Sequence, residues 1–279
     1  MLREVAQSVR TCLPPEHPDE FVRGPVIVVW KDDNGSLFIT QHPPDISTEE
    51  ALETLLGTAI PDSQLYPPWT DDITEAPTSL PPNHFIKVPN PLDYNGTPIC
   101  AELFASEVRV LERLRLASVS HPNIVKYYGC VRKGPYIGGI CFQRYVCDLA
   151  KVLHENVPAD RYPPFDPESV ICDIEAGLKH IYALGIVHDD INPRNIMLDE
   201  DGRAVIIDFD AAGEPGPTTC RGTPGWAKGR TRRTFEEWLW NLPGLTVYFF
   251  SVLVMKSHQL QSTVLLKILY PIMYCEFQR

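Results

Sequence analysis

The chain has 279 residues, room for one large domain or two small ones. Its net charge of −11 argues against a general nucleic-acid binder. Eight cysteines are scattered without a C-x-x-C pair or a histidine cluster, which argues against a structural zinc site. The start, Met-Leu-Arg-Glu-Val, leads into a polar, proline-rich stretch and does not read as a signal peptide. Reduced thiols and an intracellular, cytoplasmic location are therefore expected, with the nucleus left open.

Residues 1–20 carry Pro14, Pro15 and Pro18 and read as a loose polar arm. Val26 to Trp30 and Leu37 to Thr40 flank Lys-Asp-Asp-Asn-Gly-Ser, a hairpin pattern. A helix is expected next. Ser47 and Glu50 have capping-box spacing, Ala51, Leu52, Leu55 and Leu56 form an apolar stripe, and Gly57 can end it. Residues 61–83 hold six prolines and read as a loop or linker, a long one for a compact unit. His84 to Val88 is a short strand containing Lys87. Ile99 to Leu116 has the spacing of an amphipathic helix, with Leu103, Glu107, Val110, Leu111 and Leu114 on or near one face. A carboxylate on that face is costly unless paired. Ile140 to Tyr145 reads as a strand and Val146 to Leu149 as a polar bend. Asp166-Pro-Glu-Ser starts a helix with Asp166 as N-cap and Gly185 as terminator, its buried stripe being Val170, Ile171, Ile174, Leu178 and Ile181.

The stretch from Ile186 to Asp210 organises the rest. Ile196 to Leu198 and Ala204 to Ile207 are apolar runs separated by Asp-Glu-Asp-Gly, which predicts a tight hairpin. Polar residues at the strand edges can then be aimed by a rigid sheet. Asp190, Asn195 and Asp208 are spaced five and then thirteen residues apart. Phosphoryl transfer asks a protein mainly for positioning and charge neutralisation. Asn195 and Asp208 offer oxygen ligands of the kind that hold Mg²⁺ together with nucleotide phosphates. Asp190 can accept the proton of an attacking hydroxyl. His188, a candidate ligand or base by type, reads as a packed, hydrogen-bonded structural residue.

With His188-Asp189-Asp190-Ile191-Asn192-Pro193-Arg194-Asn195 followed by Asp208-Phe209-Asp210, the chain resembles the protein kinases, whose signature is H-R-D-x-x-x-x-N and then D-F-G. His121-Pro-Asn-Ile-Val125 and Gly222-Thr-Pro-Gly-Trp226 belong to the same likeness. The resemblance covers about residues 84–226 and implies an α+β, two-lobe kinase-like fold, with a small mostly β N-lobe and a mostly helical, incomplete C-lobe. Around this core it leaves an N-terminal region over 1–83 and a divergent apolar segment over 227–279. It implies ATP and Mg²⁺ as cofactors and a protein as substrate. By it, Lys87 contacts the α and β phosphates and Glu107, twenty residues on, is the ion-pair partner of Lys87. Glu102 and Glu112 compete for that role. Phe142 lies at the back of the adenine pocket, with the linker from Gln143 through Tyr145 to Val146 offering backbone to the adenine edge. Asp190 is the catalytic base, Asn192 stands where a residue contacts the transferred phosphate, and Asn195 and Asp208 hold the metal.

Three residues depart from the pattern. Asp189 replaces the arginine that pairs with a phosphorylated activation loop, so that form of switching is not expected. Asn192 replaces the usual lysine of the Ser/Thr enzymes. Asp210 replaces the glycine of D-F-G, removing easy access to positive φ. The front departs too. No glycine lies between Gly57 and Gly96, so either the hairpin at 26–40 supplies the first two strands with a long insertion or the Gly-rich loop is absent. After Trp226, Ala227-Lys-Gly-Arg230 stands where A-P-E is expected. The basic run Lys228, Arg230, Arg232 and Arg233 reads as solvated. The apolar runs Leu245 to Met255 and Val264 to Cys275 are each shorter than the about 20 residues of a membrane span, so membrane insertion is not expected. The resemblance implies ATP-dependent transfer to Ser/Thr hydroxyls of proteins. The missing elements favour the alternative, a weak or inactive pseudokinase that binds partners. A small-molecule phosphotransferase of the same fold is a third reading.

Overall fold

In the computed structural model the described residues are 4–13, 22–43, 45, 57–117, 120–153, 161–216 and 223. The expected helix at 47–57 falls almost wholly outside them, as do the segment after Trp226 and both terminal apolar runs. The chain divides into two compact units.

The first unit comprises Met1–Ile73, Lys87–Ala105 and Cys130–Ile140. It contains an antiparallel sheet of β1 (Glu4–Leu13), β2 (Val22–Lys31), β3 (Leu37–His42) and β4 (Thr58–Ile60) in sequential order. The hairpin expected at 26–40 is the centre of this sheet. Its turn is closed by Asp32, whose carboxylate accepts from the backbone N–H groups of Asn34 (3.0 Å) and Ser36 (2.8 Å). Val26, Val28 and Trp30 are buried, and Trp30 stacks on its cross-strand partner Phe38 at 4.3 Å. The N-terminal stretch is not a loose arm: Glu4–Leu13 pairs with β2, with two register shifts. All three prolines that suggested an arm follow Leu13, so none interrupts the ladder.

The proline-rich stretch is ordered as well. A single helical turn, α1 (Asp62–Leu65), buries Leu65 with Ile60 and Cys100. Beyond it the chain is extended. Ile137 N–H donates to the Pro67 carbonyl and Trp69 N–H to that of Pro135, both at 2.9 Å. The Trp69 ring lies 4.0 Å from the Arg132 guanidinium. The Lys133 ammonium reaches the Tyr66 ring at 3.9 Å and Asp62 at 2.9 Å. Prolines have no N–H to leave unsatisfied, so this strap needs few partners to run along the protein.

The second unit comprises Thr74–Ile86, Ser106–Gly129 and Cys141–Arg279. The helix α2 spans Ile99–Leu116, as its periodicity predicts. β5 (His84–Lys87), β6 (Tyr127–Lys133) and β7 (Tyr136–Gln143) form a sheet in the order β5-β7-β6. β7 starts four residues earlier than expected and stops before Tyr145. The expected bend contains a short strand, β8 (Cys147–Asp148), and leads into α3 (Leu149–Leu153). β8, β9 (Ile196–Leu198) and β10 (Ala204–Ile206) make a second small sheet in the order β10-β9-β8, with the predicted hairpin as two of its strands.

The helix α4 spans Pro167–Ala183. Asp166 caps it, accepting from Ser169 N–H at 2.9 Å and Ser169 Oγ at 2.7 Å. Gly185, with φ of +69°, turns the chain out of it. Val170, Ile174, Leu178 and Ile181 are buried, and α4 packs on β10. Polar ties fix that packing. Asp173 takes a two-pronged bond from Arg203 (2.8 and 2.7 Å) and one from Ala204 N–H. Asn123, inside the His-Pro-Asn-Ile-Val turn, donates to the Ala204 carbonyl at 2.8 Å. Asn123 and Val125 exchange backbone bonds with Ile206.

Candidate active site

The loop from His188 to Asn195 joins α4 to β9, and its side chains are spent largely on one another. His188 is buried between two backbone groups. Its Nε2 lies 2.9 Å from the Ile207 carbonyl, and its Nδ1 takes the N–H of Asp190 at 3.3 Å. Those partners require Nε2 to carry the proton and Nδ1 to be bare. The ring also packs against Phe209, with centroids 4.9 Å apart. His188 is thus the structural residue its position implied.

Asp190 is buried and accepts from several directions. Asn195 Nδ2 donates to its Oδ2 at 2.9 Å and to its main-chain carbonyl at 2.8 Å. Thr223 donates its N–H to Oδ1 at 2.8 Å and its hydroxyl to Oδ2 at 3.1 Å. Among the described residues, three bonds to the side chain leave an ionised carboxylate with room for about one more donor. Asn192 caps the short 3₁₀ turn Pro193–Asn195, accepting from Arg194 N–H at 2.9 Å, and its amide donates to the Asp190 carbonyl at 3.3 Å. Its side chain therefore holds the loop's shape.

Ile207 N–H donates to the Asn195 carbonyl at 3.0 Å, tying the backbone just before Asp208 to Asn195. Asp208 lies in the left-handed region at φ +63°, as does the buried Asp189 at +60°. Such backbone costs about 1–3 kcal/mol for a non-glycine residue and is held by its surroundings. The replacement of glycine by Asp210 does not strain this conformation, because residue 210 is not at positive φ. Phe209 is fully buried, and its N–H donates to Glu107 Oε1 at 3.3 Å.

The three glutamates of α2 separate cleanly. Glu102 is exposed and Glu107 is 1 % exposed. Glu112 is buried and fully engaged: it accepts from Thr74 N–H and Oγ1 (2.8 Å each), Tyr127 Oη (2.7 Å) and Arg115 Nε (2.8 Å). Burial pushes the Glu112 carboxyl up, but these donors outweigh it and hold it below the ordinary glutamate range. Lys87 is half-buried at the end of β5. Phe142 is buried in β7, 6.2 Å from the Tyr127 ring. Gln143 N–H donates to the Lys126 carbonyl at 2.9 Å, and Tyr145 Oη accepts from Lys126 N–H at 3.1 Å. Both therefore spend those groups on Lys126, the residue before β6. Burial raises the Tyr145 phenol.

Two participants escaped the sequence reading. Thr223 stood inside a recognised motif, but nothing local ties it to a residue 33 positions earlier. Thr74 stood in a stretch read as linker.

Among the described residues, no group of three or more His, Cys, Asp or Glu side chains could hold a metal ion. Also among them, no helix is long and apolar enough to cross a membrane. Cys100, Cys130, Cys141, Cys147 and Cys172 are free thiols.

Residues 97–228 match the family model described as protein kinase domain. Over 130 residues, or 41% of the chain, it is 33% identical to a serine/threonine-protein kinase/endoribonuclease IRE1 of Hypocrea jecorina, covering 10% of that protein. It is 31% identical over 140 residues, 46% of the chain, to the human serine/threonine-protein kinase/endoribonuclease IRE2, of which it covers 14%. It is 32% identical over 123 residues, 43% of the chain, to the chicken serine/threonine-protein kinase STK11, of which it covers 27%. The chain thus spans only about a tenth to a quarter of the length of these curated relatives. The match begins after Lys87, so the segment expected to cover the phosphates lies outside it.

Proposed function

The chain belongs to the protein kinase superfamily, and from that premise we propose that it transfers the γ-phosphoryl group of ATP to Ser or Thr hydroxyls of a protein. The observation that carries this reading is the setting of Asp190: a buried carboxylate aligned by Asn195 and Thr223, with one acceptor position left. Asp190 takes the proton of the attacking hydroxyl there. A base that is already oriented need not be ordered in the transition state, which is where positioning contributes most.

The residues present suit a magnesium nucleotide. Asn195 turns its Nδ2 to Asp190, leaving its amide oxygen as the atom able to meet a cation. Asp208 offers a carboxylate as the second ligand. Two hard oxygen donors completed by phosphate oxygens are the usual protein share of a Mg²⁺ site. Magnesium ATP supplies the phosphoryl group and the neutralisation of its charge. In this reading Lys87 contacts the α and β phosphates, Phe142 backs the adenine, and Gln143 to Tyr145 lie along its edge. Asn192 acts by shaping the loop beside the transferred phosphate.

A second reading has its own support. No glycine occurs between Gly57 and Gly96, and the hairpin β2–β3 belongs to a different sheet from β5. Backbone donors of a Gly-rich loop are then missing from the phosphates, which favours a weak or inactive kinase-like module that binds partners. Transfer of labelled γ-phosphate from Mg²⁺·ATP to a mixed Ser/Thr peptide library decides between them. Transfer lost in Asp190→Asn supports the enzyme. A folded wild type with neither transfer nor nucleotide-dependent stabilisation leaves the partner-binding module.

A further inference from the structure

We infer that Thr74, in the proline-rich strap, is a positioning residue: with Glu112 it forms a clamp that holds α2 so that Glu107 meets the Phe209 N–H. Its kinetic consequence rests on the function proposed above; the clamp itself does not.

Glu112 is 7 % exposed, and a carboxylate so buried must be supplied with donors. Of its four, Arg115 comes from the same helix and is partly exposed, so it restrains little. The other three come from outside. Thr74 gives both its N–H and its hydroxyl, one to each oxygen, and Tyr127 at the start of β6 gives its phenol. The carboxylate thereby joins α2 to two separate segments with charge-assisted bonds, the stronger kind.

The strap side of the clamp is seated independently. A Cβ on Gly129 would come within 2.7 Å of Ala76 N and 2.8 Å of Glu75 C, both backbone atoms. The backbone next to Thr74 therefore lies directly on the strand that presents Tyr127. Glu107 sits five residues before Glu112 on one rigid helix, about 7.5 Å along its axis. A slip or rotation at Glu112 is carried to Glu107. The bond from Phe209 N–H to Glu107 is already 3.3 Å long and has little slack. A sequence segment that resembles nothing in the kinase pattern thus sets the alignment of a residue that does.

The test uses the full chain and three variants, Thr74→Val, Thr74→Ser and Tyr127→Phe. Amide hydrogen exchange is followed in peptides covering 99–116 and 207–212, alongside steady-state transfer to the peptide library. Thr74→Val keeps the shape and loses the hydroxyl, so exchange at the Phe209 amide is expected to rise about tenfold. Under the proposed function kcat falls by a similar factor, with KM for the peptide roughly unchanged. Thr74→Ser restores both, which a packing role for the methyl group would not. Tyr127→Phe removes the third donor and loosens the same amide, and it carries the test if Thr74→Val does not fold. Wild-type exchange at Phe209 in the folded donor-deleted variants overturns the clamp. If the wild type neither binds Mg²⁺·ATP nor transfers phosphate, the proposed function fails and the exchange result still decides the clamp.

Discussion

Asn195 donates to Asp190 twice from a single nitrogen, to the carboxylate Oδ2 at 2.9 Å and to the main-chain carbonyl at 2.8 Å. The pair locks both the side chain and the backbone of the loop. Asn195→Ala removes both bonds from a buried site and leaves Asp190 short of a donor. A stability loss of about 1–3 kcal/mol is expected, read by urea unfolding. Transfer should fall by more than the unfolded fraction explains, because the carboxylate is no longer aimed. Asp190→Asn should abolish transfer and leave the nucleotide-dependent shift in melting temperature nearly intact. Full activity in either variant would remove Asp190 from the base role.

Asp208→Asn keeps the shape of the side chain and loses its charge. At a nucleotide concentration a hundred times the dissociation constant, binding stabilises a protein by about 2.7 kcal/mol. A thermal-unfolding series with ATP, with and without Mg²⁺, should show that shift in the wild type and lose its Mg²⁺-dependent part in the variant. An equal shift in both would place the cation elsewhere.

Asp173 and Glu112 make stability depend on acid. Burial pushes Asp173 up, but the Arg203 guanidinium and the Ala204 N–H outweigh it and hold the carboxyl below its ordinary range. Glu112 is held low by its own donors. Groups whose folded pKa is depressed stabilise the protein above their unfolded values, about 3.9 for Asp and 4.3 for Glu. That stability is lost as pH falls through the lower folded values. Urea midpoints should hold from pH 7 to about 5 and drop below about pH 4. Asp173→Asn should cost about 1.5 kcal/mol at pH 7, with Arg203 half-exposed and partly screened, and should flatten the acid limb. An acid limb as steep as the wild type's would show that other carboxylates govern it.

Gly129 sits at φ +124°, and an added Cβ would strike the backbone of residues 75 and 76. Gly129→Ala should destabilise by at least about 1–3 kcal/mol from backbone strain alone. Differential scanning calorimetry would read this as a lower melting temperature. An unchanged one would mean that the strap is not seated on this strand.

Local physics made much of this protein legible in its sequence. The periodicity of 99–116 and the Asp166 and Gly185 signals gave helices where they stand, because capping and amphipathic spacing act within a few residues. The Asp-Glu-Asp-Gly turn and its apolar flanks likewise gave the hairpin β9–β10. The spacing of Asp190, Asn195 and Asp208 singled out the candidate site, since its members lie on one loop and one hairpin. Composition misled at both proline-rich stretches. Residues 4–13 pair as a strand and residues 66–76 lie along the protein, because their partners are nine or more residues away and leave no local mark. Only the tertiary structure separated the three glutamates, by burying Glu107, exposing Glu102 and giving Glu112 to Thr74 and Tyr127. It alone brought Thr223 to Asp190. A carboxylate's role depends on which donors surround it, and those donors are gathered from the whole unit.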